Sequence, residues 1–170
     1  HRLDLALDAA NRAAALAPDA AETHFAMALI AYHGHLDFPR ALEQLRAALA
    51  ADPGQARFYE YIAYVQRRAG QFEDALLSMR RALELNPLAS TVVSGLADIL
   101  VGLGRPAEAK PIADRAVELA PTDWLAHLDA ANARVLVGDL SGAADAAQRA
   151  VERISLPTML TDRPDFLVLQ

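Results

Sequence analysis

The sequence predicts an all-α protein, built as a right-handed superhelical solenoid of antiparallel helix pairs. Three observations support this fold class. Alanine and leucine, the two strongest apolar helix formers, supply 38 and 26 of the 170 residues. Only 6% of the residues are aromatic, so the core has few large side chains, and small side chains let the helices approach closely. Several residue types also recur every 34 residues, which is typical of stacked helical repeats.

Four series of residues share this interval, and each of the three that cover the first two units contains a single step of 35. They are Ala13, Ala48, Ala82, Ala116 and Ala150; Ala6, Ala41, Ala75, Ala109 and Ala143; Pro18, Pro53, Pro87 and Pro121; and Gly70, Gly104 and Gly138. The longer step indicates one extra residue, which we expect in the turn at residues 33–38. The alanines are expected where neighbouring helices cross most closely.

Each repeat unit is predicted to contain two helices. In the second complete unit, the first helix ends at Gly70, because a glycine in the left-handed conformation commonly ends a helix. The second helix carries Ala75, Met79 and Ala82 on one face, at spacings of four and three residues. It stops before Pro87, which cannot continue the hydrogen-bond ladder. One such pair cannot bury its apolar face alone, so neighbouring units must stack.

Two prolines in the third unit have different expected effects. Pro106 falls in the first turn of a predicted helix, where proline is tolerated. Pro111 lies about five residues further along, where it is expected to remove one backbone hydrogen bond and bend the helix.

Composition excludes several classes of function. The chain has no cysteine, which excludes disulfides, thiolate metal sites and a cysteine nucleophile. Its net charge of −6 opposes binding to nucleic-acid phosphates. The longest apolar run, residues 25–32, is too short to span a membrane. We therefore expect no nucleic-acid partner, no membrane segment and a cytoplasmic location.

Composition also indicates a source. Fifteen of the sixteen basic residues are arginine, which together with the excess of alanine is typical of GC-rich bacterial genomes. The sequence begins with His1 rather than methionine, so we expect it to be part of a longer protein.

These residues resemble the tetratricopeptide repeat (TPR) family. Its pattern has a large residue, leucine, a small residue and an aromatic in the first helix, then alanine, a large residue, alanine and proline in the second. The second unit reads Tyr59, Ile62, Ala63, Gln66, Ala75, Met79, Ala82 and Pro87. Gln66, and Arg134 in the last unit, depart from the aromatic position.

The resemblance implies a division of the chain into repeats. Residues 1–18 are the second helix of a partial repeat, and residues 19–53, 54–87, 88–121 and 122–155 are four complete repeats. Residues 156–170 depart from the pattern. We expect this tail to pack across the exposed end of the last helix, with a homodimer contact or the start of a further domain as alternatives.

The resemblance also implies a non-catalytic scaffold that binds a peptide or protein segment in a concave groove lined by the first helix of each repeat. The groove positions of the family fall here on Phe25, Leu29, Tyr32, Arg57, Glu60, Tyr61, Tyr64, Arg67, Asp98, Asp129 and Asn132. Seven of the ten aromatic residues lie between Phe25 and Tyr64. Tyrosine is favoured at interfaces, so the first half of the groove is the expected contact region. The alternative is that these rings only pack against the neighbouring helix.

Two other functions stay open. The segments at residues 36–41 and 83–90 are similar to TPR arrays of multidomain bacterial regulatory proteins, which carry a nucleotide cyclase, a kinase or a winged-helix domain. A regulatory or sensory role is therefore one alternative, and an oligomerisation module is the other.

The candidate chemistry outside the groove is sparse. His33 and His35, with His24, lack the further ligands of a defined metal site, and we expect solvated histidines. No sequence motif of a nucleophile, phosphate loop or zinc hydrolase is present. We therefore expect no catalytic residue, metal or cofactor.

Overall fold

The computed structural model describes residues 2–154. The expectations for the tail at residues 156–170, as a cover or a dimer contact, lie outside this range. The described residues form nine α-helices and no strand. The helices are α1 (Arg2–Leu16), α2 (Ala21–Leu29), α3 (Phe38–Ala51), α4 (Ala56–Arg68), α5 (Phe72–Leu85), α6 (Ser90–Gly102), α7 (Pro106–Leu119), α8 (Trp124–Leu136) and α9 (Leu140–Arg153).

The chain divides into two compact units, which we call the N-terminal unit (His1–Leu85) and the C-terminal unit (Asn86–Gln170). In the N-terminal unit, α2 packs on α3, α3 on α4, and α4 on α5, while α1 contacts α2. In the C-terminal unit, α6 packs on α7 and α8 on α9, and α8 also contacts both α6 and α7. Each unit therefore has its own core of helices that are adjacent in sequence.

The recurring alanines lie in these cores, as the sequence predicts. All eight that fall in α3, α5, α7 and α9 are buried; they are Ala41, Ala48, Ala75, Ala82, Ala109, Ala116, Ala143 and Ala150. A methyl side chain at a helix crossing lets the two backbones approach closely. The position of these eight alanines in the repeat therefore explains why a small side chain is needed there.

The predicted glycine turns are confirmed. Gly70, Gly104 and Gly138 adopt φ values of +78°, +70° and +81°. After each glycine, the next backbone N–H donates to a carbonyl five residues earlier, as in Gln71 N to Gln66 O at 2.8 Å. This is the hydrogen bond that closes a helix through a left-handed residue. The three turns therefore end α4, α6 and α8 in the same way.

The turn between α2 and α3 contains the extra residue, and it closes differently from the three glycine turns. The segment Ile30–Gly34 continues α2 as a π-helix, whose hydrogen bonds span five residues instead of four. The backbone N–H of Asp37 then donates to Ala31 O, six residues earlier, at 2.8 Å. Leu36 takes the place of the glycine, with φ of +53°. The irregular segment therefore begins at Ile30, three residues before the turn at residues 33–38 in which the sequence predicts the extra residue.

Replacing Leu36 with glycine is expected to raise the free energy of unfolding by about 1 kcal/mol, because the left-handed conformation is strained for a side chain with a Cβ. The shift of the urea denaturation midpoint, followed by circular dichroism, measures this gain. The matched variant is Gly70→Ala, where no atom lies within 4 Å of the added Cβ, so that only the backbone is strained. It is expected to lose a similar amount. A Leu36→Gly variant less stable than the parent would contradict the assignment of strain.

Polar pairs replace the aromatic ring at the two positions that depart from the family pattern. Gln66 is buried in α4, and its Oε1 accepts a hydrogen bond of 2.7 Å from Ser78 Oγ of α5. Arg134 of α8 donates from Nη2 to Asp114 Oδ1 of α7 at 2.5 Å, and Lys110 Nζ lies 3.1 Å from Asp114 Oδ2. Helix contacts normally made by a ring are made here by hydrogen bonds.

Candidate functional site

Four aromatic side chains meet where α2 lies beside α4. We call Phe25, Phe58, Tyr61 and Tyr64 the aromatic cluster. The Phe25 ring lies 5.2 Å from Phe58 and 5.0 Å from Tyr61, measured between ring centroids, and Tyr61 lies 5.8 Å from Tyr64. Both contacts of Tyr61 with other members of the cluster are T-shaped, a favourable geometry for aromatic pairs. The cluster is therefore formed by side chains of two helices, α2 and α4.

The members of the cluster differ in burial. Phe58 is fully buried, whereas Phe25, Tyr61 and Tyr64 are half-buried and pack against the core of the N-terminal unit. Each half-buried ring has one side against the core and another accessible to solvent. These three side chains can therefore contact a partner without unfolding the unit.

Charged groups hold the cluster in place. The Arg57 guanidinium lies 4.9 Å from the centre of the Phe25 ring and 5.2 Å from that of Phe58, and it forms an ion pair with Glu22. The Tyr64 hydroxyl donates to Glu60 Oε1 at 2.9 Å. Arginine over a ring face is attracted by the ring quadrupole. These contacts join the rings to charged side chains of α2 and α4.

Tyr32 does not lie on this surface, which corrects the expectation that it lines the groove. Its side chain is 2% exposed, among core residues that include Leu42 and Leu45. The expectation was carried over from the groove positions of the family, whereas Tyr32 here lies inside the π segment. The wider turn changes the angle at which its side chain leaves the helix.

His33 also differs from expectation. Its ring lies 4.4 Å from that of Tyr32 and 6.4 Å from that of Tyr61, and the side chain is half-buried rather than solvated. His24 contacts Gln44 Oε1 through Nδ1 at 3.0 Å. His33 and His24 therefore make different contacts, and His35 is exposed. Among the residues of the structure, no group of three or more His, Asp or Glu side chains could hold a metal ion.

The remaining predicted positions of the N-terminal unit are Leu29 and Arg67, and both are half-buried. Arg68, beside Arg67 in the last turn of α4, places its guanidinium 5.6 Å from the centre of the Tyr32 ring. Positive charge therefore lies at the C-terminal end of α4, where Arg68 contacts the Tyr32 ring.

The C-terminal unit presents polar groups at its predicted positions. Asp98 on α6 and Asp129 on α8 are half-buried, and Asn132 is exposed. Asp129 accepts a hydrogen bond from the buried Ser94 hydroxyl, which connects α8 to α6. None of these positions carries an aromatic ring, so this surface differs in chemistry from the aromatic cluster.

Sequence reasoning missed two members of the arrangement. They are Phe58, which is buried in α4, and Glu22, which pairs with Arg57. A separation of 35 residues between Glu22 and Arg57 places both at the same position in successive repeats. Opposite charges at equivalent positions of neighbouring first helices could have indicated the ion pair.

Sequence comparison agrees with this fold. Two tetratricopeptide repeat profiles match the chain, one at residues 66–123 and the other at residues 34–90. Together they span residues 34–123, more than half of the sequence. The chain belongs to the tetratricopeptide repeat family. No curated protein matches the sequence significantly.

Solved structures share the fold at low sequence identity. One titled as PilF of Pseudomonas aeruginosa is 20% identical, with a TM-score of 0.80 over 98% of this chain and 77% of that one. A structure of MamA is 18% identical, with a TM-score of 0.74 over 89% and 88% of the two chains. MamA from Desulfovibrio magneticus is 17% identical, with a TM-score of 0.70 over 78% and 75%. These likenesses confirm the all-α helical solenoid, and at this identity they concern the fold alone.

No helix in the described part of the chain is both long enough and apolar enough to cross a membrane.

Proposed function

We propose that this chain is a non-catalytic interaction scaffold, and that the aromatic cluster of the N-terminal unit binds a peptide segment of a protein partner. Tetratricopeptide repeats generally serve as scaffolds for protein interaction. One observation carries the proposal. Three half-buried rings, Phe25 on α2 and Tyr61 and Tyr64 on α4, contact one another in T-shaped pairs.

The chemistry of the cluster suits a peptide with an apolar or aromatic anchor. Tyrosine offers a large apolar face at low cost in conformational entropy, and its hydroxyl stays hydrated at the edge. The Tyr64 hydroxyl is already oriented by Glu60. Because these groups are ordered before binding, less freedom is lost when the partner docks.

A peptide selected from a random display library against the parent chain serves as the probe. The double variant Tyr61→Ala/Tyr64→Ala is expected to bind this peptide at least about 100-fold more weakly, because each interface ring typically contributes about tenfold or more. Isothermal titration calorimetry measures the affinity. Circular dichroism checks that the helix content is unchanged.

The matched control is Tyr59→Ala, which removes a ring from the same helix on the side facing α5. There the Arg81 guanidinium lies 6.0 Å from the Tyr59 ring. This variant is expected to keep the affinity of the parent. Equal affinity in the double variant and the parent would overturn the proposal, as would an equal loss in both variants.

A further inference from the structure

A cavity of about 250 Å³ lies in the C-terminal unit, between α7, α8 and α9. It is separate from the aromatic cluster, which belongs to the N-terminal unit. Pockets for drug-sized ligands are mostly apolar and measure about 300–1,000 Å³. This cavity is smaller, and most of its lining residues are polar or charged. Its volume and lining therefore indicate a small polar ligand. The polar and charged residues are Lys110, His127, Arg134, Asp139, Asp145 and Arg149.

Comparison with the N-terminal unit explains why this space is open. The repeat interval places Tyr59 at the position of His127, and Arg81 at the position of Arg149. In the N-terminal unit, the Tyr59 ring lies 6.0 Å from the Arg81 guanidinium. An imidazole is smaller than a phenol ring, so it leaves space beside the arginine. Both His127 and Arg149 line the cavity.

Several of the charged side chains hold the walls of the cavity together. Lys110 Nζ and Arg134 Nη2 both contact the Asp114 carboxylate, at 3.1 and 2.5 Å. Asp139 accepts a hydrogen bond of 3.0 Å from the backbone N–H of Gly142 and lies 3.8 Å from Arg134 Nε. These contacts connect α7, α8 and the start of α9. The groups involved are therefore structural, and a ligand must use the others.

The other polar groups of the lining are available to a ligand. His127 is 3% exposed, and its Nε2 donates to the carbonyl oxygen of Pro121 at 3.0 Å. In a neutral imidazole the other nitrogen, Nδ1, is then an acceptor, and it has no hydrogen-bond partner in the described part of the chain. The side chains of Asp145 and Arg149 also have no partner among residues 2–154. The cavity thus offers two acceptors and one cation.

We propose that this cavity binds a free α-amino acid. The ammonium group of the ligand donates to His127 Nδ1 and to the Asp145 carboxylate, and its carboxylate accepts from the Arg149 guanidinium. Asp145 and Arg149 are four residues apart on α9, which places their Cβ atoms about 6 Å apart on one face of the helix. Both side chains can therefore reach the two charged groups of one small zwitterion.

The charge of the site favours a zwitterion over a simple anion. Three cations line the cavity, namely Lys110, Arg134 and Arg149, against the two carboxylates of Asp139 and Asp145. The Asp114 carboxylate, which contacts both Lys110 and Arg134, balances the third cation. The site has no net charge, so it matches a ligand that carries one charge of each sign.

Ligand-observed NMR on the full chain, with each of the common L-amino acids in turn, identifies the tightest binder, and isothermal titration calorimetry measures its Kd. Two derivatives of this amino acid test the contacts. The amide lacks the carboxylate, and the N-acetyl derivative lacks the ammonium group. Each is expected to bind at least about tenfold more weakly, because each loses charge-assisted hydrogen bonds.

Variants of the protein locate the site. Arg149→Gln and Asp145→Asn each remove one charge and break no side-chain contact among residues 2–154. Each is expected to raise the Kd at least about tenfold. The matched control is Arg81→Gln, at the equivalent position of the N-terminal unit, where the Tyr59 ring lies beside the arginine. This variant is expected to keep the Kd of the parent, and circular dichroism checks that the helix content is unchanged.

Four results would overturn the proposal. They are the absence of binding by every amino acid, equal affinity for the amino acid and its two derivatives, an unchanged Kd in both Arg149→Gln and Asp145→Asn, and an equal loss in Arg81→Gln. Inorganic phosphate is the probe for a simple anion site. Phosphate that bound as tightly as the amino acid would assign the cavity to anions and contradict the zwitterion.

Discussion

Replacing Phe58 with alanine is expected to lower the free energy of unfolding by about 3–5 kcal/mol. The Phe58 ring is fully buried where α4 meets α2, and it contacts the ring of Phe25 and the guanidinium of Arg57. Alanine would leave a cavity there, because close-packed neighbours collapse only partly into the space. Urea denaturation followed by circular dichroism measures the loss.

The control for this variant is Leu77→Ala, which also shortens a large apolar side chain. Leu77 is mostly exposed on α5, so its replacement is expected to change the free energy of unfolding by less than about 1 kcal/mol. A Phe58→Ala variant as stable as Leu77→Ala would show that the ring is not packed as described. The comparison separates the core residue of the aromatic cluster from its half-buried members, whose replacement is expected to affect binding.

Replacing Pro111 with alanine is expected to raise the free energy of unfolding by about 2–3 kcal/mol. Pro111 is the sixth residue of α7, which continues through it from Pro106 to Leu119. The proline nitrogen carries no hydrogen, so the carbonyl of Ala107 lacks its normal helical donor. Alanine restores that donor, and the side chain at this position is exposed. The thermal midpoint and the urea midpoint should both increase.

Pro106→Ala is the matched control, because Pro106 is the first residue of the same helix. A backbone N–H at this first position would have no carbonyl of the same helix to which it could donate, so nothing is lost when proline lacks it. This change is therefore expected to leave stability within about 0.5 kcal/mol of the parent. If Pro111→Ala gained no more than Pro106→Ala, the cost assigned to the interior proline would be wrong.

The repeat interval predicted those features that depend on local sequence. Gly70 was expected to end a helix in the left-handed conformation, and all three glycines of its series, Gly70, Gly104 and Gly138, adopt that conformation. The alanine series was expected at helix crossings, and its members in α3, α5, α7 and α9 are buried. Both features result from backbone sterics and side-chain size, so one sequence with four similar units is enough to identify them.

Features that depend on contacts between helices were not predictable in the same way. Tyr32 was assigned to a groove position by the family resemblance, whereas its side chain lies in the π segment and is buried in the core. The partners of Gln66 and Arg134 are Ser78 and Asp114, which lie 12 and 20 residues away in sequence. Such pairs require the distance and rotation of two helices, which a periodic pattern does not contain.

The candidate site was predictable in outline. The concentration of aromatic residues in the first half of the chain indicated where rings would meet, and the structure places Phe25, Tyr61 and Tyr64 in contact. The sequence did not show which rings contact one another, or that Arg57 lies over two of them. Both depend on how α2 packs beside α4.

The π segment has a consequence for how such arrays change in length. Its closing hydrogen bond spans six residues, from Asp37 N to Ala31 O, where the later turns span five. The added residue is absorbed within one turn, so Ala41 and Ala48 are buried like their counterparts Ala75 and Ala82. An insertion elsewhere in a helix would rotate every later side chain by about 100°. The turn between α2 and α3 is thus a place where evolution can add or remove one residue and preserve the phase of the whole repeat.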